Sequence, residues 1–232
     1  MERNYDVLLL DADGTLLDFD RSERAAMEEL FARHGYPYDG SVLERYRAIN
    51  SRLWSEYEKD LIPKPQIHKT RFQELFTVLG IEGDGPSFNE EYLDALSSHC
   101  FTMGGALEVC RALARIYRLY VVTNGVTRVQ RRRLRESGLE TCMSGVFVSA
   151  QNGVQKPNRG FFENAPPPIE GVSASRTLII GDSPTSDMAG GRGFGLDTCW
   201  FNPNGRPPLT PPPTFEIHSL RELPPLLAGN PA

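Results

Sequence analysis

Two aspartates, Asp11 and Asp13, directly follow the apolar run Val7–Leu10 near the start of the chain. Such a run predicts a buried strand, and carboxylates are rarely buried unless they are paired or bind a metal ion. Residues two positions apart in an extended chain point the same way, and Gly14 then allows a sharp turn. This arrangement suits phosphoryl transfer, in which one carboxylate attacks, the other moves protons and a divalent cation offsets the charge. The alternative is an ordinary Asp-Gly turn.

The composition is that of an ordinary globular protein, with 232 residues of which 40% are hydrophobic and 24% charged. The net charge of −5 argues against DNA, RNA or anionic lipid as a partner, because no positive field attracts a polyanion. A small phosphorylated substrate remains compatible, since one metal ion and one lysine neutralise a phosphate locally. No apolar run approaches a membrane span and no signal-peptide pattern is present. We therefore expect a cytoplasmic protein that binds neither a nucleic-acid polymer nor a membrane.

Short apolar runs alternate with helical patterns along most of the chain. Strands that are separated by helices and buried on both faces predict an α/β fold, with a Rossmann-like parallel sheet and right-handed crossovers. Ligands of such sheets bind beyond the carboxyl ends of the strands. The predicted strands are Val7–Leu10, Leu119–Thr123, Val146–Ser149, Leu178–Ile180, Thr198–Phe201 and Phe215–His218. The helices predicted between them are Ala106–Tyr117, Arg128–Ser137 and Met188–Gly193.

Residues 18–103 interrupt this alternation with helical patterns alone. The four patterns are Ser22–His34, Ser41–Lys59, Gln66–Leu79 and Glu90–Cys100. They predict a small helical domain, inserted after the first strand, that covers a site on a core formed by residues 1–17 and 104–232. Two proline-rich segments, Pro166–Pro168 and Arg206–Pro213, predict surface turns or short polyproline pieces.

Two polar segments follow later strands and are suited to binding phosphate. Thr123-Asn124-Gly125 places a hydroxyl and an amide at the mouth of a helix, where free N–H groups favour an anion. The alternative is a plain Asn-Gly turn. Lys156-Pro157 places a lysine where it can bridge the attacking carboxylate and the phosphate, whereas most Lys-Pro lysines lie on protein surfaces. Neither segment is decisive by itself.

A fourth segment, Gly181–Asp187, supplies two further acids after another buried strand. Asp182 can complete an oxygen-only Mg²⁺ site with Asp11 and a backbone carbonyl. The alternative is a helix cap at Asp182 or Ser183, with Asp187 in the first turn. Four strand ends thus supply, in order, an acid pair, a hydroxyl, a lysine and an acid pair. These are the groups that an aspartyl-phosphate phosphatase needs.

This order of motifs resembles the haloacid dehalogenase (HAD) superfamily, and specifically its phosphatases. The motifs of that superfamily are D-x-D-G-T, a hydroxyl residue after the second strand, a lysine and G-D-x-x-x-x-D, and all four have counterparts here. The resemblance covers essentially the whole chain. It implies that the helical insertion is the four-helix cap domain of the superfamily.

The resemblance and the residue chemistry together imply a role for each acid. Asp11 attacks phosphorus and forms an aspartyl-phosphate, while Asp13 protonates the leaving oxygen and then deprotonates the attacking water. The two neighbours must therefore differ in protonation at the moment of attack. The cofactor implied is Mg²⁺, held by the Asp11 carboxylate, the Asp13 backbone carbonyl and Asp182.

The same resemblance implies how the phosphoryl group is bound. Thr123, the N–H of Asn124 and Lys156 contact its oxygens. Asp187 orients Lys156 or a water molecule bound to the metal.

The insertion resembles a narrower subgroup, the noncanonical pyrimidine nucleotidases, which are 5′-nucleotidases. The segments that carry this resemblance are Leu16–Asp20, Ala48–Trp54, His68–Phe72, Thr123–Thr127 and Val154–Asn158. It implies that the small phosphorylated substrate is a nucleoside monophosphate with a pyrimidine base.

Four residues are candidates for contacting the base and sugar, because an aromatic ring can stack on a base and Asn or Arg can read its edge. They are Phe19, Asn50, Trp54 and Arg71. The alternatives are that Trp54 belongs to the core of the insertion and that Arg71 is an exposed helix residue. The basic run Arg128–Arg135 is expected to form a solvated helix face.

Two rival functions remain open. A phosphatase for sugar phosphates or phosphoglycolate shares every core motif and differs only in the cap. A catalytically silent binding module on the same fold is the rival from another class, although the intact set of acids and lysine argues against it. Haloacid dehalogenation is disfavoured, because that reaction has no alcohol leaving group for Asp13 to protonate.

Overall fold

The computed structural model describes residues 5–163 and 174–229. The chain divides into two compact units, one containing the residues up to 19 and from 100 onwards, the other containing residues 20–99. The predicted insertion, 18–103, extends slightly beyond the second unit at each end. The predicted turn at Pro166–Pro168 lies outside the described residues, whereas Arg206–Pro213 forms a mostly exposed, irregular segment as predicted.

The first unit contains a six-stranded sheet in which every neighbouring pair of strands is parallel. The strands are β1 (Val7–Leu10), β2 (Arg118–Thr123), β3 (Gly145–Val148), β4 (Thr177–Gly181), β5 (Asp197–Phe201) and β6 (Phe215–Ile217). Their order across the sheet is β3-β2-β1-β4-β5-β6. Each strand lies within one residue of its predicted bounds, and the predicted α/β fold is confirmed.

Helices flank these strands and fill the second unit. In chain order the α-helices of the described residues are α1 (Phe19–Arg33), α2 (Gly40–Glu58), α3 (Lys64–Leu79), α4 (Gly85–Ser98), α5 (Ala106–Leu113), α6 (Thr127–Glu136), α7 (Ser149–Asn152), α8 (Arg159–Glu163), α9 (Ala189–Phe194) and α10 (Leu223–Leu227). Helix α5 ends four residues before its predicted end, because the Leu113 carbonyl accepts from both Ile116 and Tyr117 in a tight turn. No helix of this described set is long and apolar enough to cross a membrane.

The central strand β1 explains the uninterrupted apolar run that precedes the first aspartate. Leu8 and Leu10 pack into one hydrophobic cluster, while Val7 and Leu9 pack into another. Alternate residues of a strand point to opposite faces, so both faces of the sheet are covered. A strand buried in this way has its polar residues beyond its end rather than along its length.

The second unit is a set of four helices, α1 to α4, packed around aromatic side chains. Tyr46 and Phe72 stack with ring centroids 5.0 Å apart, and Phe72 also contacts Phe88 and Tyr92. Helix α3 ends at Gly80, whose left-handed backbone (φ 67°) glycine adopts readily. The four helices predicted between the first two strands are therefore present.

Candidate active site

The site lies at the carboxyl ends of three neighbouring strands. Leu10 of β1 is in register with Val121 of β2 on one side and Ile180 of β4 on the other. The residues that follow must therefore emerge at the same edge of the sheet. Asp11 is held there by its own backbone, whose N–H donates to the carbonyl of Ile180 at 2.9 Å.

Lys156 lies at the centre of the site and uses all three of its N–H donors. Its ammonium nitrogen is 2.7 Å from Oδ1 of Asp11, 2.6 Å from Oδ1 of Asp187 and 2.7 Å from the carbonyl oxygen of Val122. Burial disfavours the ammonium form, but the charges of Asp11 and Asp187 more than offset this and raise the pKa of Lys156 above its ordinary value. The lysine is thus a fixed positive charge beside Asp11.

Three carboxylates share this small region. Oxygen atoms of Asp11, Asp182 and Asp187 lie within 4.8 Å of one another. Burial raises the pKa of Asp11 well above its ordinary value, and the other two acids act in the same sense while Lys156 opposes them. Burial, followed by the charge of Asp187, raises the pKa of Asp182 to about 7. An oxygen-only cluster that is short of positive charge has the chemistry that a hard divalent cation requires, so these residues fit Mg²⁺.

Both carboxylate oxygens of Asp187 accept hydrogen bonds from other groups of the protein. Its Oδ1 accepts from Lys156, and its Oδ2 accepts from the backbone N–H of Ser183 at 3.2 Å. Ser183 also caps the helical turn Pro184–Met188, since its side chain accepts from the N–H of Ser186. The helix cap considered as an alternative is therefore present, and the same turn places Asp187 against Lys156.

Gly14 lets the chain pass close to Asp182. Its φ of +81° is in the left-handed region, and a Cβ there would lie 2.8 Å from Oδ2 of Asp182. Its N–H donates to the carbonyl of Leu17 at 2.9 Å and so closes the turn after β1. The sharp turn predicted at this position is confirmed.

Thr123 and Asn124 are arranged differently from each other. The Thr123 hydroxyl oxygen accepts from the N–H of Gly125 and from the side-chain amide of Gln130, both at 3.0 Å. With both lone pairs accepting, its own hydrogen is suited to donation towards a phosphate oxygen. The Asn124 side chain instead makes two hydrogen bonds, of 2.8 and 2.9 Å, to the backbone of Lys156. It therefore positions the segment that carries Lys156, and the phosphate contact predicted for Asn124 concerns its backbone N–H alone.

Two residues of α6, Gln130 and Arg133, contact Asp13, and neither was predicted to do so. Gln130 donates to Oδ2 at 2.6 Å and Arg133 donates to Oδ1 at 2.5 Å. Arg133 is completely buried, so the expectation that the whole run Arg128–Arg135 is solvated is wrong at this position. The other arginines of the run are exposed, as expected. The available signal was helical spacing, because Gln130 and Arg133 share a face with the buried Val129.

The backbone of Asp182 is held by side chains from β5 and the segment after it. The Trp200 indole donates to the Asp182 carbonyl at 3.0 Å, and Arg206 donates to the same oxygen at 2.5 Å. The Arg206 guanidinium lies 5.2 Å from the centre of the Trp200 ring. Neither contact was predicted, because a backbone carbonyl leaves no trace in the sequence.

The model of the haloacid dehalogenase-like hydrolase family matches residues 5–195. The chain belongs to this family. The predicted superfamily is therefore confirmed, over the part of the chain that carries all four motifs. The acids, lysine and threonine described above all lie within the matched residues.

Three known proteins are similar to this chain over more than nine-tenths of its length. Pyrimidine 5′-nucleotidase PynA of Streptococcus pneumoniae is 38% identical, over 94% of this chain and 93% of PynA. Pyrimidine 5′-nucleotidase YjjG of Escherichia coli is 31% identical, over 97% of this chain and 99% of YjjG. The HAD-hydrolase YfnB of Bacillus subtilis has a crystal structure with bound magnesium. It superposes with a TM-score of 0.92 at 38% identity, covering 97% of this chain and 99% of that one.

The four residues predicted to contact the base and sugar do not all lie in the same unit of the chain. Phe19 is the first residue of α1 and is partly exposed, whereas the other three lie in the helical unit. Arg71 is buried and donates to Asn89 at 2.7 Å and to Asn50 at 3.3 Å, so the alternative of an exposed helix residue is wrong. The structure thus brings Asn50 and Arg71 together.

Trp54 lies in different surroundings. Its ring meets that of Tyr57 edge-on, with centroids 5.6 Å apart, and it packs against the small cluster of Leu53, Tyr57 and Ile67. It is only partly buried there. Membership of the core of the helical unit, considered as an alternative, describes its packing.

Proposed function

We propose that this HAD hydrolase is a Mg²⁺-dependent phosphomonoesterase that acts through an aspartyl-phosphate on pyrimidine nucleoside monophosphates. The observation that carries the proposal is the 2.7 Å contact between Lys156 and Asp11 at the end of the central strand. A carboxylate that is desolvated beside a fixed positive charge is held and oriented as a nucleophile. PynA and YjjG, both named pyrimidine 5′-nucleotidases, support the substrate class.

In the first half of the reaction, the Asp11 carboxylate attacks phosphorus in line with the ester bond. The bond between Asp11 and phosphorus forms while the bond to the 5′ oxygen of the nucleoside breaks, and Asp13 gives its proton to that oxygen. Oδ1 of Asp11 is bound by Lys156, so Oδ2 is the atom that we assign to the attack. An alkoxide is a poor leaving group, which makes the proton from Asp13 necessary.

In the second half, Asp13 takes a proton from a water molecule. The oxygen of that water bonds to phosphorus, the bond to Asp11 breaks, and inorganic phosphate and the free carboxylate result. The hydroxyl of Thr123 and the N–H of Asn124 bind the phosphoryl oxygens throughout. The ammonium group of Lys156, whose three N–H donors bind Asp11, Asp187 and Val122, attracts these oxygens through its positive charge. Asp187 keeps Lys156 oriented through its 2.6 Å contact.

The carboxylates of Asp11 and Asp182, with the backbone carbonyl of Asp13, would hold Mg²⁺. When bound, this ion neutralises part of the negative charge that spreads over the phosphoryl oxygens. The fit rests on the oxygen-only donor set, because oxygen atoms of Asp11, Asp182 and Asp187 lie within 4.8 Å of one another. Burial raises the pKa values of Asp11 and Asp182, and a bound cation would favour their ionised forms. The magnesium bound to YfnB is in keeping with this assignment.

The helical unit completes the proposal as the cap that selects the leaving group. The proposed contacts to base and sugar are Phe19, at the start of α1, and Asn50, Trp54 and Arg71 of the helical unit. The buried cluster of Arg71, Asn50 and Asn89 offers guanidinium and amide groups of the kind that read the edge of a pyrimidine. Sugar-phosphate hydrolysis would use the same core with other cap contacts.

The test is phosphate release with Mg²⁺ from a panel of nucleoside monophosphates and sugar phosphates. The Asp11→Asn protein serves as the blank, because it keeps the shape of the side chain without its charge. Preference for UMP, dUMP or dTMP supports the full proposal, whereas preference for sugar phosphates retains the chemistry and rejects the assigned cap contacts. Absence of release from every substrate would support a silent binding module. Normal turnover by Asp11→Asn would exclude the covalent mechanism.

A further inference from the structure

Two side chains on one face of helix α6 donate hydrogen bonds to the carboxylate of Asp13. Arg133 donates to Oδ1 at 2.5 Å and Gln130 donates to Oδ2 at 2.6 Å. The two donors are three residues apart, which places them on the same side of the helix. They also contact each other, since Arg133 lies 3.4 Å from the Gln130 amide oxygen. Both oxygens of this one carboxylate are therefore held at once.

Burial makes this arrangement more than a surface ion pair. Arg133 is 0% exposed and Gln130 is 1% exposed, whereas the Asp13 side chain is 30% exposed. An arginine is almost never buried without a specific partner, because its charge loses its hydration. The two donors thus lie in the protein interior, whereas part of the Asp13 side chain remains exposed.

Gln130 also links Asp13 to the proposed phosphate-binding hydroxyl. Its side-chain amide nitrogen donates both to Asp13 and to the Thr123 hydroxyl oxygen, the latter at 3.0 Å. Gly125 makes room for this amide, because a Cβ at that position would lie 2.4 Å from its nitrogen. One side chain therefore sets the position of Asp13 relative to Thr123.

We propose that Gln130 and Arg133 are positioning residues that hold the Asp13 carboxylate for proton abstraction from water. The proposal rests on the proposed function, in which Asp13 carries that proton. A carboxylate offers about four lone-pair sites, so each oxygen that accepts from α6 still has a lone pair for water. The held carboxylate takes the proton while the water oxygen bonds to phosphorus and the bond to Asp11 breaks. Hydrolysis of the aspartyl-phosphate is therefore the half-reaction that depends most on the two residues.

The test compares Arg133→Met and Gln130→Leu with a matched control, Arg131→Met. Arg131 is an exposed neighbour on α6 that contacts none of the site residues described above. The substrate is p-nitrophenyl phosphate with Mg²⁺, because its phenolate leaves without a proton and isolates the second half-reaction. In Arg133→Met and Gln130→Leu we expect a burst of about one p-nitrophenolate per enzyme, followed by steady-state release slowed about tenfold or more. In Arg131→Met we expect wild-type behaviour.

Two further variants separate positioning from simple loss of structure. Arg133→Lys keeps one charged donor and is expected to recover part of the steady-state rate. Gly125→Ala displaces the Gln130 amide while Asp13, Gln130 and Arg133 all keep their identity. It is expected to show the same burst and the same slowed steady-state rate as Gln130→Leu. If Arg133→Met does not fold, Gln130→Leu and Gly125→Ala decide the matter.

The outcomes distinguish this inference from the proposed function. Steady-state rates in Arg133→Met and Gln130→Leu that equal that of Arg131→Met would overturn the inference. An equal fall in the burst amplitude and in the steady-state rate would also overturn it. Loss of folded protein lowers both quantities together, so that pattern indicates a structural role. Failure of the proposed function has another signature, namely no phosphate release by the wild-type protein or unchanged turnover by Asp13→Asn.

Discussion

The ammonium nitrogen of Lys156 lies 2.6 Å from Oδ1 of Asp187, and both side chains are 1% exposed. A buried ion pair of this kind is sensitive to removal of one partner, because the remaining charge keeps its cost of desolvation. Without Asp187, Lys156 would keep its salt bridge to Asp11 but lose half of its ion-pair contacts. The contact therefore couples the stability of the core to the orientation of the proposed phosphate-binding lysine.

We expect Asp187→Asn to lower the free energy of unfolding by about 3 kcal/mol and to reduce phosphatase turnover strongly. The matched control is Asp6→Asn, which removes an exposed partner of Arg176 at 2.6 Å and is expected to cost less than about 1 kcal/mol. Urea unfolding followed by circular dichroism measures both values. Equal losses in the two variants would show that the buried contact has no special importance.

Gly14→Ala tests whether close packing against Asp182 matters for metal binding. Both Gly14 and Gly195 have a positive φ, of +81° and +91°, but a Cβ meets Asp182 only at Gly14 and meets nothing within 4 Å at Gly195. Each alanine should cost about 1 kcal/mol of stability through backbone strain. Only Gly14→Ala should raise the Mg²⁺ concentration needed for half-maximal phosphate release. A Mg²⁺ titration that is unchanged in Gly14→Ala would contradict this expectation.

Mg²⁺ is expected to stabilise the protein more at pH 8 than at pH 6. Burial raises the pKa of Asp182 to about 7 in the metal-free protein, above its ordinary value of 3.8. The folded state therefore holds this proton more tightly than the unfolded state, and the resulting stability is lost as the pH rises through 7. At pH 6 most molecules carry this proton, and Mg²⁺ must displace it in order to bind. The apparent affinity for Mg²⁺ is therefore about tenfold lower at pH 6 than at pH 8 from this group alone.

Thermal unfolding in EDTA and in Mg²⁺ at the two pH values measures this coupling. The increase in Tm on adding Mg²⁺ should be larger at pH 8, and Asp182→Asn should show little increase at either pH. An increase in Tm that is the same at both pH values would exclude Asp182 as the source of the coupling.

Arg71→Met tests the proposed recognition of the base. Arg71 is buried, and its Nη2 has no hydrogen-bond partner among the described residues. A buried donor left unsatisfied costs about 1–3 kcal/mol, which a carbonyl oxygen of a bound base would offset. We expect a KM for UMP raised about tenfold, with turnover of p-nitrophenyl phosphate unchanged. The control is Arg45→Met, an exposed arginine of the same unit, and an unchanged KM for UMP in Arg71→Met would remove Arg71 from the base contacts.

The strands and the order of the four motifs could be predicted from the sequence, because each depends on residues that are close together along the chain. A strand buried on both faces must be an unbroken apolar run, which is why Val7–Leu10 and its neighbours were predicted to within one residue. Polar residues then appear where the run ends, at Asp11, Thr123 and Asp182. The residue types and their order were sufficient to predict the family.

Contacts made by an otherwise ordinary side chain could not be read in this way. Arg133 belongs to a run of arginines whose composition predicts a solvated helix, and only the packing of α6 turns this one arginine towards Asp13. The Asn124 amide was expected near phosphate, but it bonds to the backbone of Lys156.

The sequence by itself determined the sheet, the sites of the acids and lysine, and the family to which the chain belongs. It did so because burial and charge restrict which residue types can follow a buried strand. The tertiary structure alone decided which side chains hold those acids, namely Gln130 and Arg133 on Asp13 and Trp200 and Arg206 on Asp182. These partners are distant in sequence, and their contacts depend on helix rotation and on backbone carbonyls, neither of which residue identity specifies.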